Sequence, residues 1–160
     1  MSCNKYQPHV FVLPEDDANK ELANGFHLKV DWNRNRRMQV LPAAGGWNNL
    51  LGQFKSQHVT EMSRYTERFM VLLIDFDGRN DRLKTVTDII PEELAERVFV
   101  LGAWNDPERL KANLGAYEGI GSAMADDCRD ETDTTWAHEL LRHNASELDR
   151  LRKHVRSILF

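Results

Sequence analysis

The stretch FMVLLIDFDG, Phe69 to Gly78, constrains the fold of this chain more than any other. Six apolar residues follow one another without polar alternation, so a strand built from them has two dry faces and needs cover on both. That is the condition of an inner strand in a parallel sheet with helices above and below. The run then stops at two carboxylates, Asp75 and Asp77, one residue apart. Ligands of such sheets gather beyond the carboxyl ends of the strands, so the end of this strand is the first place to look for chemistry.

The rest of the chain supplies the cover. HVFVL, His9 to Leu13, is stopped by Pro14 and followed by a helical EDDANKELANGF with acidic residues first and Gly25 near its end. RMQVLP leads through Gly45 and Gly46 into helical spacing at Leu50, Leu51 and Phe54. A polar helix over Val59 to Arg68 precedes the FMVLLID strand, and DRLKTVTDIIPEELAERV separates it from VFVLG, Val98 to Gly102. Strand and helix alternating four times predict a three-layer α/β domain with a mostly parallel sheet of about four strands and right-handed crossovers. Beyond Asp106 the chain reads as helical to its end. Asp106 caps a helix with Pro107 in its first turn, Asn144 caps another with Leu148, Leu151, Val155 and Ile158 on one stripe, and the acidic DDCRDETD lies between helices as a linker. With 160 residues, 41% hydrophobic, the chain fits a single domain over 1–160, with a core at about 9–104 and a helical C-terminal extension at about 106–160.

Composition removes several classes of function. Cys3 and Cys128 form no metal-binding or disulfide spacing, and the six histidines show no HxxxH or HExxH pattern. The start of the chain lacks a leader pattern and no apolar run approaches the ~20 residues of a bilayer span, so the expected home is the reducing cytoplasm, away from membranes. The net charge of -4 argues against a chain coated for non-specific nucleic-acid binding. Local basic clusters remain at Arg34, Arg36 and Arg37, at Arg79, Arg82 and Lys84, and at Arg150, Arg152, Lys153 and Arg156. Tyr6, Tyr65 and Tyr117 read as core residues and the four tryptophans as core or interface residues, with Trp47 beside the glycine pair also placed to stack on a base.

Glu15, Asp16 and Asp17 follow the first strand as Asp75 and Asp77 follow the third, so neighbouring strands would bring all five to one rim. Clustered carboxylates repel and raise one another's pKa unless a cation joins them. Oxygen ligands on a short turn suit Mg²⁺ or Mn²⁺, and residues two apart in extended chain project to one side, so Asp75 and Asp77 would face one ion. The structural alternative is that Asp75 caps the next helix and Asp77 opens a turn with Gly78.

A Glu at the end of the first strand, a Gly-containing turn after the second and DxD at the end of a later apolar strand resemble the Toprim domain of topoisomerases, bacterial primases, RNA-maturation nucleases and overcoming-lysogenisation-defect type nucleases. The resemblance covers about residues 9–104 and implies a divalent metal held by Glu15, Asp75 and Asp77, with Glu15 also in acid/base chemistry. It departs where family members read Glu-Gly followed by Asp. Here Pro14 precedes Glu15 and Asp16 follows it, which leaves Glu15, Asp16 and Asp17 as alternatives for the third ligand. The activity implied is metal-dependent cleavage of phosphodiester bonds in DNA or RNA, with Arg79, Arg82, Lys84 and Lys20 as phosphate contacts and the amides of Gly45 and Gly46 as a further anion cradle. LLIDFDGRNDRL also resembles the first motif of haloacid-dehalogenase phosphatases, with Asp75 as nucleophile, although Arg79 stands where Thr is usual. A third expectation is a subunit, catalytic or not, of a larger defence-type complex containing an ATPase. Its contact, or that of a homodimer, would be the final helix from Ala145 to Phe160 with an exposed apolar tip at Ile158, Leu159 and Phe160.

Overall fold

A computed structural model describes residues 3–160. Four parallel strands form one sheet: β1 (His9–Pro14), β2 (Met38–Val40), β3 (Arg68–Leu73) and β4 (Val98–Leu101), in the order β2-β1-β3-β4. Seven α-helices accompany them: α1 (Asp17–Leu28), α2 (Trp47–Gln53), α3 (Val59–Arg64), α4 (Asp81–Ile89), α5 (Pro107–Leu114), α6 (Tyr117–Asp130) and α7 (Ala145–Leu159). A single wide turn, Phe54–His58, joins α2 to α3.

The unbroken apolar runs are what a sheet covered on both sides requires. Alternate residues of each strand point to opposite faces, so Val10, Val12, Val71, Leu73, Phe99 and Leu101 meet the core under α1, α6 and α7. Phe11, Leu13, Met70, Leu72 and Val100 meet a second core with Leu50, Phe54, Met62 and Val86 from α2, α3 and α4. The three-layer α/β arrangement expected from the pattern is therefore present, with β1 and β3 as the inner strands.

Local signals place most helix starts. Asp16, in extended conformation, caps α1 by accepting from the Asn19 amide at 3.0 Å, and Asp106 caps α5 with Pro107 at its first position. Asn144 stands at the start of α7 but does not cap it. Its Oδ1 accepts from Gly102 N at 3.1 Å and its Nδ2 donates to Gly102 O at 2.9 Å, which fastens α7 to the end of β4. Three other expectations are corrected. The acidic linker is largely the last turns of α6, because the buried Asp127 organises the following loop by accepting from Thr132 Oγ1 and the Thr135 amide. The apolar tip of α7 is folded inward: Ile158 and Leu159 join Leu148, Leu151 and Val155 in this chain's own core. Tyr6, expected inside, is 80% exposed, and Trp32, expected in the core or at an interface, lies outside the core.

The helices α1 and α6 cross with their backbones touching. A Cβ on Gly25 would stand 1.9 Å from Glu118 O, and one on Gly121 1.9 Å from Leu22 O, while Ser122 Oγ donates to Gly25 O at 2.9 Å. Gly119, two residues earlier on α6, faces open space. Gly121→Ala is expected to cost about 2 kcal/mol or more, as an overpacked contact against backbone, whereas Gly119→Ala gains about 0.5–1 kcal/mol of helix propensity. Urea unfolding of the two variants checks both signs.

Candidate functional site

The strand order determines where the chemistry gathers. From β1 the chain crosses to β2 on one side, and β3 and β4 lie on the other, so the carboxyl ends of β1 and β3 flank the switch point of the sheet, where α/β proteins keep their ligands. The register pairs Leu13 with Leu72 and Pro14 with Leu73, which brings Glu15 beside Ile74 and Asp75.

Glu15 joins three segments. Its N–H donates to Leu73 O at 2.9 Å, its carbonyl accepts from both Gly45 N and Gly46 N at 3.0 Å, and its Oε2 accepts from Asp75 N at 2.6 Å. The residue is 7% exposed. The glycine amides expected to form an anion cradle are therefore already occupied by the Glu15 carbonyl. Both glycines have φ near +100° (90° and 125°), a conformation that L side chains rarely adopt.

Beyond β3 the chain turns sharply. Asp77 and Gly78 have φ of 51° and 65°, and Arg79 N donates to Phe76 O at 2.9 Å, the marks of a type I′ turn with Asp-Gly at its centre. The same-side projection expected of extended chain does not apply to Asp77. Its exposed carboxylate instead meets Arg82 Nη2 at 2.9 Å. Phe76 faces away from the rim, into a nest with Trp104 and His143, whose ring centroids lie 6.1 and 4.8 Å from its own.

Arg82 is the cation of the site. From the first turn of α4 its Nη1 donates to Asp75 O at 2.6 Å and stands 3.7 Å from Glu15 Oε1, and its guanidinium lies 4.5 Å over the Trp47 ring. Its Nε is buried without a partner. Even with this cation present, burial and carboxylate repulsion prevail at Asp75. Burial, a hydrogen bond shared with Asp16, and the charges of Asp16, Glu15 and Asp77 push its carboxyl up to about 8. Burial also raises Glu15, against the opposing Asp75 amide and Arg82. At neutral pH, Asp75 is thus held mainly as the acid, bonded to Asp16.

The residues named from the sequence separate accordingly. Glu15, Asp16, Asp75, Asp77 and Arg82 come together. Arg79 pairs with Asp81 at 2.7 Å and Lys84 with Asp88 at 2.7 Å on the outer surface, and Lys20 lies on α1. Tyr117, expected in the core, is buried there at the start of α6, and its phenol is raised by desolvation and by the charges of Glu108, Asp75 and Asp16. Nothing in the short-range pattern signals that proximity to the rim, because α6 reaches the rim only by crossing α1. As a metal set, the carboxylates have the right donor chemistry. In the present geometry, however, no three His, Cys, Asp or Glu among the described residues are placed to hold an ion. Compared with protein-family models, curated proteins and solved structures, the chain finds no match.

A raised carboxyl fixes a sign. The folded state keeps the Asp75 proton after the unfolded chain has released it, so stability falls as pH rises from the ordinary carboxylate range to about 8. The buried His9 and His58 and the half-buried His143, all lowered from 6.5 by desolvation, act oppositely by removing stability as pH falls below that value. The informative window is therefore above pH 6.5. There, Asp75→Asn is expected to flatten the decline and to unfold at higher urea than the parent at pH 8. A parallel decline in both proteins would refute the assignment.

Proposed function

We propose that the chain cleaves phosphodiester bonds of nucleic acid with a divalent cation, Mg²⁺ or Mn²⁺, held at the carboxyl end of β1 and β3. One observation carries this reading: the half-buried Asp75 stands at the switch point of the sheet beside Glu15, Asp16 and Asp77, with its carboxyl raised above the ordinary carboxylate range by burial and by these neighbours, and a cation that displaces its proton would relieve the repulsion. Asp75 and Asp77 would hold the ion, with Glu15 or Asp16 as the third carboxylate. Bound there, the ion would polarise a phosphate oxygen and stabilise the leaving oxygen. The chain's own part is to desolvate and orient. Arg82, fixed by Glu15, Asp77 and the Asp75 carbonyl, is the cation nearest the carboxylates and would set the charge that a phosphate meets there. Arg79 and Lys84 stand outside as exposed cations for the flanking backbone, and Lys20 on α1 adds another.

A second reading rests on Arg82 itself. Its contacts at 2.9 Å to Asp77 and 3.7 Å to Glu15 balance much of the cluster without an ion, which favours a binding subunit with no catalysis of its own. In either reading the chain would work in the cytoplasm, as one subunit of a larger assembly containing an ATPase or as a homodimer.

Incubation with plasmid, single-stranded DNA and RNA, in Mg²⁺, Mn²⁺ or chelator, separates the readings. The nuclease reading expects metal-dependent cutting that falls by at least about a hundredfold in Asp75→Ala, as for loss of a group acting on the transition state. Turnover of p-nitrophenyl phosphate without cutting identifies a phosphatase with Asp75 as nucleophile. Inactivity in both assays, with a partner protein that co-purifies in fixed ratio, establishes the binding subunit.

A further inference from the structure

The opposite end of the sheet has the reverse electrostatic character. A cavity of about 470 Å³ opens beside the start of β1, between the segment Cys3–His9 and the 3₁₀ turn Trp32–Arg37. Its wall carries Arg36 and Arg37 together with the neutral donors Asn4, Gln7 and Asn33, and no carboxylate lines it. Neither arginine is ion-paired among the described residues. The other basic clusters are engaged: Arg34 donates to Ser157 O and Phe160 O, Arg150 to Ala95 O, and Arg156 to Arg129 O. In a chain of net charge -4 this concentration of unpaired guanidinium runs against the average.

Behind the floor lies a third cation, Arg68, bonded to His9. His9 lines the cavity with its Nδ1 on Gln7 O at 2.7 Å, and its Nε2 accepts from Arg68 Nε at 3.0 Å. Arg68 is 1% exposed, lies 3.9 Å over Phe11, and has one carboxylate, the half-exposed Glu61 at 3.3 Å; its Nη2 has no partner. Two large aromatic rings stand nearby. Trp32 is 90% exposed and adjoins Asn33 of the cavity wall, and Tyr6 is 80% exposed in the opposite wall segment. Tyr6 meets Tyr65 edge-on with ring centroids 6.0 Å apart, whereas Trp32 has no aromatic partner among the described residues; a free ring in the segment that carries two unpaired guanidinium groups matches one kind of ligand, a phosphate joined to a planar ring.

We propose that this cavity binds a nucleotide unit of single-stranded nucleic acid, with phosphate on Arg36 and Arg37 and an unpaired base on Trp32. The volume falls in the range of ligand pockets, about 300–1,000 Å³, and is more than a lone phosphate needs. A duplex keeps its bases stacked on one another and offers none to Trp32. The six residues of β1, at about 3.3 Å each, put this site roughly 20 Å from the carboxylates, so it is separate from them and needs no metal. It stands whether or not the carboxylate end cuts.

The test is binding in chelator, which removes cleavage from the measurement. The full chain is titrated with a fluorescein-labelled decathymidylate strand between about 50 and 200 mM salt, with the matching duplex, adenosine monophosphate and inorganic phosphate as competitors. Arg36→Glu with Arg37→Glu is expected to weaken the strand at least tenfold and to reduce the salt slope by about 1.4, two single-strand phosphates' worth. Trp32→Ala should weaken it about tenfold, as for a lost stacked base, and the monophosphate should outcompete phosphate. Arg36→Lys with Arg37→Lys, retaining most of the affinity, shows that charge and not misfolding is read. Affinity within twofold of the parent in the Glu variant overturns the proposal. A duplex that competes as well as the strand, or phosphate that competes as well as the monophosphate, overturns the stacked base.

Discussion

Most of the structure at the carboxyl end depends on Glu15. Its backbone holds β3 through Leu73 O and the turn before α2 through two glycine amides, and its side chain fixes the first amide beyond β3, that of Asp75. A carboxylate that receives a backbone N–H is stabilised in its charged form. Burial at this position is stronger, and the group ends above its ordinary range. Asp75 is raised by burial first, and then by the neighbouring carboxylates of Asp16, Glu15 and Asp77. The site thus stores electrostatic strain that Arg82 only partly relieves, and this excess of negative charge at a sheet switch point is what gives the rim its chemical direction.

The arrangement was legible in part from the amino-acid sequence. The run Phe69 to Ile74 demanded cover on both faces and received it, and the acidic ends of β1 and β3 were correctly placed at one rim because they lie on adjacent parallel strands. What failed to read through were matters of local competition. Asp77 followed the turn preference of Asp-Gly over the alternation of extended chain. Gly45 and Gly46 had backbone partners nearer than any ligand. Asn144 found Gly102 in place of its own helix. The exposure of Tyr6 and the inward tip of α7 depend on long-range packing, which short-range patterns do not encode.

The two ends of the sheet differ in kind. Carboxylates collect where β1 and β3 finish, and guanidinium collects where β1 begins, around Arg36, Arg37 and Arg68. The net charge averages these ends and conceals both. Parallel strands make such separation simple, since every strand delivers the residues that follow it to one rim and those that precede it to the other. An anionic polymer meets attraction at one end, and at the other meets repulsion that a divalent ion would reverse.

The backbone contact between Gly25 and Glu118, and between Gly121 and Leu22, bears on motion. α1 begins beside Asp16 and α6 begins at Tyr117, so the two helices carry opposite walls of the carboxylate rim. Helices locked at the level of their main chains have no layer of side chains in which to slide. Sliding of α1 against α6 therefore has no room, and the two helix starts at Asp17 and Tyr117 stay at a fixed separation.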